Sequence, residues 1–595
     1  MNNKESKNGW TGKVLLINLD TWKRDILYPR MDVYGKFIGG RGLAGHFLYP
    51  YITNPWDHPD MPILVFAGPL VGTLAPTSGR STIMSRSPLT GTIADSSVGG
   101  RLGTQLKKAG WDGIIITGKS HIPCGIEIED RDVSIVDASS HWGKQTNVFF
   151  DEFGHSKKSV CVIGPAAENG VSFSSLMVDK HHAAGRTGIG LCYATKGIKY
   201  MTLHGTGKVA IKDKEALKSA CEEIYRLVSA SPVLMGQNGF SSFGTGAIYD
   251  LMDSRRMMPT ENFQKTYFEK AGKLNAFAFK KKYRPKSHGC AGCHIRCKKI
   301  ARSGGMDGSS IPEFETMSHF TALIGNTDMD LVMRANELCN QYGMDTISTA
   351  ATLACYKEVS GETDLSDHLI DLLKQIKEGS TELGRKLGMG SRAFARSKNL
   401  EHASMSVKGL ELPAYDPRGS YGMSLAYALS TRGGCHLRAY PISHEILRKP
   451  VATNRFTYSG KARIIKIEED ENAIADSLTA CKFIFFAAGL EEYAKAYSAI
   501  TGELSTAQDL LKMGERIFYQ ERIMNGLNGF GIADDDLPSR FFQEDGSSGN
   551  GIEIKKLDRK TFVATRSKYY KIRGLNEQGL PKKQKAEQLG LLWKK

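Results

Sequence analysis

Three cysteines fall within eight residues, Cys290-Ala-Gly-Cys293-His-Ile-Arg-Cys297, and no other stretch of this 595-residue chain restricts its fold so tightly. Thiols at that spacing lie within reach of one loop wrapping a single metal centre, and Gly289 and Gly292 let the backbone turn sharply enough. The chain carries 11 cysteines, an odd number spread along its length, and its start, Met1 to Gly9, is polar without a leader pattern. These features point to a reducing, cytoplasmic setting where clustered thiols mean metal or catalysis rather than disulfides. A [4Fe–4S] cube needs four thiolates, commonly three from such a run and one from a distant position. Zinc bound by three Cys and one His is the competing reading, with His288 or His294 as fourth ligand. The distant thiols are Cys124, Cys161, Cys192, Cys221, Cys339, Cys355, Cys435 and Cys481. Spacing alone leaves that choice open, because an isolated buried cysteine usually acts as a small hydrophobe.

The length calls for several domains around a large core, and 41% hydrophobic with 24% charged residues is the balance of a folded protein. Short β-type runs punctuated by glycine fill residues 10 to 208: Val14–Leu19, Ile63–Gly68, Gly113–Gly118, Ser159–Gly164 and Lys199–Leu203. From about 209 the pattern shifts to helical spacing, as in Lys212–Ala230, Leu331–Tyr342 and Leu365–Leu387. Pro413 to Gly419, with two prolines, breaks it again. The expectation is an α+β protein: a β-rich N-terminal domain over 1–208, then two mostly α-helical domains over 209–417 and 418–595. The longest apolar run near a site, Phe483–Leu490, is far shorter than the roughly 20 residues of a membrane span.

Net charge is +16, but 13 Lys and Arg against three acids place +10 of it between Lys555 and Lys595. A basic tail on a near-neutral body argues for a local acidic contact or a solvated face, not a nucleic-acid-binding protein. A zinc-containing nucleic-acid binder would need basic residues interleaved with aromatics over a whole domain; the tail offers Tyr569, Tyr570 and Trp593 and no recognised module.

Three glycine-rich turns could each hold an anion through backbone N–H groups and a guanidinium: Gly40-Arg-Gly-Leu-Ala-Gly45, Gly79-Arg80 with Ser96-Ser97-Val-Gly99-Gly100, and Ala183-Ala-Gly185-Arg186-Thr-Gly188-Ile-Gly190. Taken singly, each is an ordinary turn. In order, they join further segments: Ala67-Gly-Pro-Leu70, Ser87-Pro-Leu-Thr-Gly91, Pro312-Glu-Phe-Glu315, Gly343-Met-Asp-Thr-Ile347, Leu412 to Gly419, Arg432-Gly-Gly-Cys-His436 and Tyr569 to Gly574. This collinear set, with the cysteine run, resembles the aldehyde:ferredoxin oxidoreductase family, tungsten enzymes with a bis-pterin cofactor beside a [4Fe–4S] cluster.

The resemblance implies a β-rich N-terminal domain cradling a tungsten (or molybdenum) bis-pterin, with two helical domains closing over it. It implies Cys481 as fourth ligand beside Cys290, Cys293 and Cys297, since the family's D-x-x-G-L-C motif reads Asp476 to Cys481 here. The paired D-x-x-G-L-D motif reads Asn340-Gln-Tyr-Gly343-Met344-Asp345. Arg80, Arg186 and Arg438 match positions around the pterin rings and phosphates, with the backbone of Ser97, Gly99, Gly100, Ala183, Gly185 and Gly188 beside them and Mg2+ bridging the phosphates. Proton transfer in the family maps onto Glu315 and His436, a raised-pKa carboxyl or a near-neutral imidazole being suited to a base. Electrons would leave to ferredoxin or a partner iron–sulfur subunit, steered by Lys280–Lys282, Arg284, Lys286, Lys298 and Lys299 and by the tail. The substrate would be an aldehyde or its acid, facing segments such as Met235–Tyr249 and Ser443–Tyr458, and a homo- or hetero-oligomer is compatible.

The departures are specific. Asn340 stands where the first motif has Asp, Thr479 and Ala480 replace Gly and Leu of the second, and the family's interface-metal segment E-x-x-H reads Arg334-Ala-Asn-Glu337. The nearest alternative is the tungsten subunit of a class II benzoyl-CoA reductase or another low-potential reductase complex. Those subunits supply an extra metal thiolate soon after P-E-x-E, and no cysteine lies between Glu315 and Glu337.

Overall fold

The β-type runs of the N-terminal third pair into two six-stranded sheets in the computed structural model, which describes residues 8–153 and 157–593. Met1 to Lys7, most of the polar start read above for a leader, lie outside the described residues. The first sheet holds β1 (Val14–Asn18), β2 (Lys23–Leu27), β3 (Ile63–Phe66), β4 (Ser81–Arg86), β5 (Ile93–Val98) and β6 (Gly113–Thr117), in the order β2-β1-β6-β3-β4-β5. The second holds β7 (Cys124–Glu129), β8 (Asp132–Asp137), β9 (Ser159–Ile163), β10 (Leu176–Val178), β11 (His182–Ala184) and β12 (Ile198–His204), ordered β11-β10-β9-β12-β7-β8. Only β1 with β6 and β7 with β12 run parallel. One apolar core joins both sheets, with Ile63, Val65, Ile114 and Ile116 from the first and Ile126, Cys161, Met201 and Leu203 from the second.

The remainder is mostly helical, as the spacing predicts. In Lys214–Ser229 the buried Leu217, Ala220, Cys221, Ile224 and Val228 form one stripe, and the Asp213 carboxylate accepts from Ala216 N at the N-cap. Each large apolar side chain buried this way contributes about 1.5–3 kcal/mol. The stretch read as continuous from Leu365 to Leu387 is instead two helices, Leu369–Glu378 and Glu382–Gly388. Gly379 turns left-handed after the first, and Thr381 caps the second by accepting from Gly384 N. At the proline break, Asp416 caps the turn Pro417–Gly419 and Ser420 starts the helix Tyr421–Leu429.

The C-terminal segment packs into the body. On the helix Arg559–Arg573, the fully buried Arg573 pairs with Glu469 at 2.6 Å and with Asp470, both on the helix Lys461–Leu478, and Lys585 pairs with Glu515 at 2.8 Å. Part of the tail's basic excess is therefore internally neutralised, leaving Lys582 and Lys583 exposed.

Candidate active site

A cavity of 670 Å3 is lined by all three stretches of the chain. Arg80, Ser97, Ala183, Gly185 and Arg186 come from the sheet region, Glu315 and Asp345 from the middle, and His436, Arg438, Asp476 and Cys481 from the last part. Several predicted residues do not line it. Gly188 is the left-handed N-cap of the helix Ile189–Thr195, Gly343 is the left-handed C-cap of Met329–Tyr342 with its carbonyl accepting from Ser175 N, and Met344 and Ala480 are buried. Asn340 stands apart on the half-buried outer side of its helix, where its carbonyl accepts from Thr146 Oγ1. The acceptor that the segment Asn340–Asp345 presents to the cavity is thus Asp345, which also caps the helix Thr346–Ser360 and lies 3.6 Å from Arg186.

The strands β4 and β5 escape a pattern search because they carry polar residues that serve this site, β5 by lining it and β4 by holding the Asp476 backbone. Thr82 Oγ1 donates to Asp476 O at 3.2 Å, and Asp95, Ser96 and Ser97 line the cavity. The Gly40 turn serves the same place in another way. A Cβ on Gly40 would collide with Asp476 O, and Arg41, inside the helix Gly40–Leu48 that this turn opens, reaches Asp476 at 3.4 Å and Glu521 at 2.5 Å. Thr479, where the family has Gly, keeps the left-handed turn at φ 55°, and its hydroxyl accepts from Gly68 N at 2.9 Å.

Cys290, Cys293, Cys297 and Cys481 are each partly exposed, whereas the other seven cysteines are buried. Burial pushes the Cys293 thiol up to about 11 and Cys297 well above its usual range, and the neighbouring Cys481 and Cys290 add to both shifts. Cys481 is raised by burial and by Cys290, against the pull of the Arg80 guanidinium. A side chain on Gly99 would collide with the Cys290 sulfur, and Gly100 O accepts from Ala291 N at 3.1 Å. Among the described residues no three His, Cys, Asp or Glu side chains gather as closely as a single metal ion requires. Four such thiols become thiolates only with metal charge to compensate.

Glu315 Oε2 accepts from Ala414 N at 2.8 Å, while Oε1 has no hydrogen-bond partner and sits 3.6 Å from His436 Nε2. Burial pushes Glu315 up to about 8, outweighing the Ala414 bond and Arg186. His436 departs from the expectation of a near-neutral imidazole. Burial, then the cations Arg186, Arg432 and Lys482, hold it well below the usual histidine range, so it is a neutral partner. Tyr415 and Tyr440 lie against its ring, at 5.5 and 6.0 Å between centroids, with their hydroxyls 2.8 Å apart.

Near the cysteine loop, Lys280, Lys281, Lys282, Arg284, Lys286 and Arg296 are exposed. Lys298 and Lys299 do not belong to that surface. Lys298 pairs with Glu313 at 2.7 Å, and the buried Lys299 donates to Ser241 O, Ser287 Oγ and Arg296 O.

The family model described as aldehyde ferredoxin oxidoreductase, N-terminal domain, matches residues 14–205, and that for its domains 2 and 3 matches residues 219–591. The chain belongs to the aldehyde ferredoxin oxidoreductase family. It is an oxidoreductase. The tungsten-containing aldehyde ferredoxin oxidoreductases of Thermococcus kodakarensis and Pyrococcus furiosus are 35% and 34% identical to it, each comparison covering 98% of both chains. The WOR-like subunit of an aliphatic sulfonate oxidoreductase from Pyrococcus furiosus is 26% identical over 98% of this chain and 97% of that one. The fold also matches the active-site complex BamBC of benzoyl coenzyme A reductase, with TM-score 0.85 at 20% identity, over 98% of this chain and 97% of the other. Within this family frame, Asp95, Arg432, Tyr415 and Lys482 also line the cavity; the last three stand in or directly beside quoted segments (Arg432 to His436, Leu412 to Gly419, Asp476 to Cys481), but nothing in those motifs singles them out as site residues. Among the described residues no helix is long and apolar enough to cross a membrane.

Proposed function

We propose that this oxidoreductase converts an aldehyde and water to a carboxylic acid, releasing two electrons and two protons, or runs the reverse at low potential, in the reducing cytoplasm. The observation that carries the reading is Glu315, a carboxyl with one unpartnered oxygen beside a neutral histidine, on a cavity also lined by the residues of both pterin motifs, Asp345 and Asp476. The residues fit a tungsten (or molybdenum) bis-pterin. Buried polar atoms on Arg186 (Nη1) and Asp476 (Oδ1), both lining the cavity, have no hydrogen-bond partner; the guanidinium would donate to phosphate oxygens and the carboxylate would accept from ring N–H groups, and Mg2+ would neutralise the phosphates. Cys290, Cys293, Cys297 and Cys481 would hold the [4Fe–4S] cluster, with Arg80 between them and Ser97. When bound, the metal supplies the two-electron step and the cluster the one-electron exit.

The chain's own residues handle protons and position. In its ionised form Glu315 takes a proton from water or the aldehyde hydrate, and a pKa about 8 keeps it basic enough for that. Neutral His436 hydrogen-bonds the reacting oxygen without adding charge, and the Tyr415–Tyr440 hydroxyl pair offers a donor from the same side. Electrons would pass to ferredoxin or a partner iron–sulfur subunit docking on the exposed lysines around Lys281. Anaerobic purification with metal analysis, then an aldehyde panel with a viologen acceptor, tests the reading. Tungsten or molybdenum with iron and turnover of an aldehyde supports it; metal-replete protein inactive on every aldehyde overturns it in favour of a ring or acyl reductase.

A further inference from the structure

A second polar group on the cavity wall is used neither by the proton step nor by the pterin motifs. One face of the helix Lys461–Leu478 lines the cavity through Ile464, Ile467, Glu468, Glu471 and Asn472, ending at Asp476. Ile467 is exposed, as is the whole run Arg448–Val451, whose Lys449 and Pro450 also line the cavity; these residues mark where it opens. Between that opening and Asp476, Glu468 is 5% exposed. Its Oε1 accepts from Ser443 Oγ at 3.0 Å and lies 3.4 Å from His444 Nε2, whereas Oε2 has no hydrogen-bond partner. Glu471, one turn further along the same face, has no cation beside it, and burial alone pushes it up to about 7. Burial pushes Glu468 well above the usual carboxylate range, and Glu471 and Glu445 raise it further.

Two neighbouring carboxyl groups on one wall, one with a buried oxygen left unpaired, cost stability that an apolar pair would not. Facing the same space are aromatic side chains packed on one another: Phe240 with Phe483 at 4.9 Å and Tyr440 with Phe486 at 5.8 Å between centroids. An apolar wall with two carboxyls set into it fits a carbon chain carrying one hydrogen-bond donor. We propose that Glu468, supported by Ser443, His444 and Glu471, is a specificity-determining subsite for a donor group on the substrate, a hydroxyl or a protonated amine, remote from its reacting carbon. This rests on the aldehyde reading above. With Oε2 unpaired, the Glu468 carboxyl can accept from either donor, and when it carries its proton it can also donate to a hydroxyl oxygen, so the hydroxyl is favoured when the carboxyl stays neutral and the amine when it ionises.

The test compares kcat/KM of the metal-loaded enzyme for a series of ω-hydroxyalkanals, ω-aminoalkanals and unsubstituted alkanals of equal chain length, with parent, Glu468→Gln and Glu468→Leu. The expected result is that the parent prefers one donor-bearing series by about tenfold or more, that Glu468→Leu abolishes the preference, and that Glu468→Gln keeps it for hydroxyl but not for ammonium. Calorimetric binding of the matching ω-hydroxy, ω-amino and plain carboxylic acids provides a readout independent of turnover. Equal kcat/KM across all series, or a binding preference untouched by Glu468→Leu, overturns the subsite. Loss of activity on every aldehyde with the binding preference intact instead overturns the aldehyde reading and leaves the subsite standing.

Discussion

Replacing Glu315 by Gln should make the protein more stable and far less active. In the unfolded chain this carboxyl ionises near 4.5, and in the cavity near 8. That shift corresponds to about 5 kcal/mol against the ionised form in the folded state. The sign follows from proton counting. Between those two values the folded state keeps a proton that the unfolded state has released, so stability falls as pH rises from about 4.5 to 8. At pH 7 the loss is about 3 kcal/mol. A glutamine fills the same volume, still accepts from Ala414 N, and does not titrate. Over an unfolding entropy of about 1.2 kcal/mol/K for a chain of this length, the variant should melt about 2 °C above the parent at pH 7. The gap should close below pH 4.5, widen as pH rises to 8 and level off above it. Thermal midpoints of cofactor-free protein across that range measure it, while turnover of the loaded enzyme should fall about 10²–10⁴-fold and lose its rising limb near pH 8. A variant that melts below the parent at pH 7, or a gap independent of pH, would refute the reasoning.

Cys481→Ser should strip iron and the visible charge-transfer absorption from anaerobically purified protein while the chain stays folded; retained iron would place the fourth ligand elsewhere. At Thr479 two variants separate strain from hydrogen bonding. Thr479→Ala keeps a left-handed non-glycine residue and orphans Gly68 N, costing about 1–3 kcal/mol, whereas Thr479→Gly relieves the backbone and should cost less in denaturant titrations. Charge reversal at the exposed Lys280 and Lys281 should slow ferredoxin-dependent turnover severalfold at low salt and flatten its salt dependence, leaving viologen-dependent rates unchanged. The same reversal at Lys582 and Lys583 tests whether the tail takes part.

How legible the molecule is from sequence depends on which neighbours a segment serves. β1, β3, β6, β9 and β12 are apolar because one face enters the shared core and the other packs on a second apolar cluster, so their continuous apolar runs reveal them. β5 carries aspartate and serine to the cavity and Thr82 of β4 holds the backbone of Asp476, so the strands closest to the cavity look least like strands. The cysteine loop is readable because its three thiols are local in sequence, while Cys481 needs the family motif, since nothing near it in sequence distinguishes it from the seven buried thiols. Glu468 and Glu471 sit in the acidic run Glu468–Glu471, which as sequence looks like a solvated helix face. Only the packing of that helix shows that Glu469 and Asp470 point to Arg573 while Glu468 and Glu471 point into the cavity.

The buried charges around Asp476 make the same argument about position rather than stability. Arg438 pairs with Asp95 at 2.5 Å and Glu521 at 3.5 Å, and Arg41 spans Glu521 and Asp476. Lys482 meets Asp476 at 2.7 Å. Such pairs, taken out of water, often stabilise a fold less than well-packed apolar residues would, so their worth lies in what they orient. Both cations on Asp476 bind the same oxygen, Oδ2, and the other, Oδ1, is buried without a partner. The carboxylate is thereby fixed in rotation with one acceptor kept free, from residues as distant as Arg41 and Glu521. A neutral side chain at position 476 could fill the volume but could not be held by two cations, and the acceptor it offers the cavity would lose its direction before it lost its place.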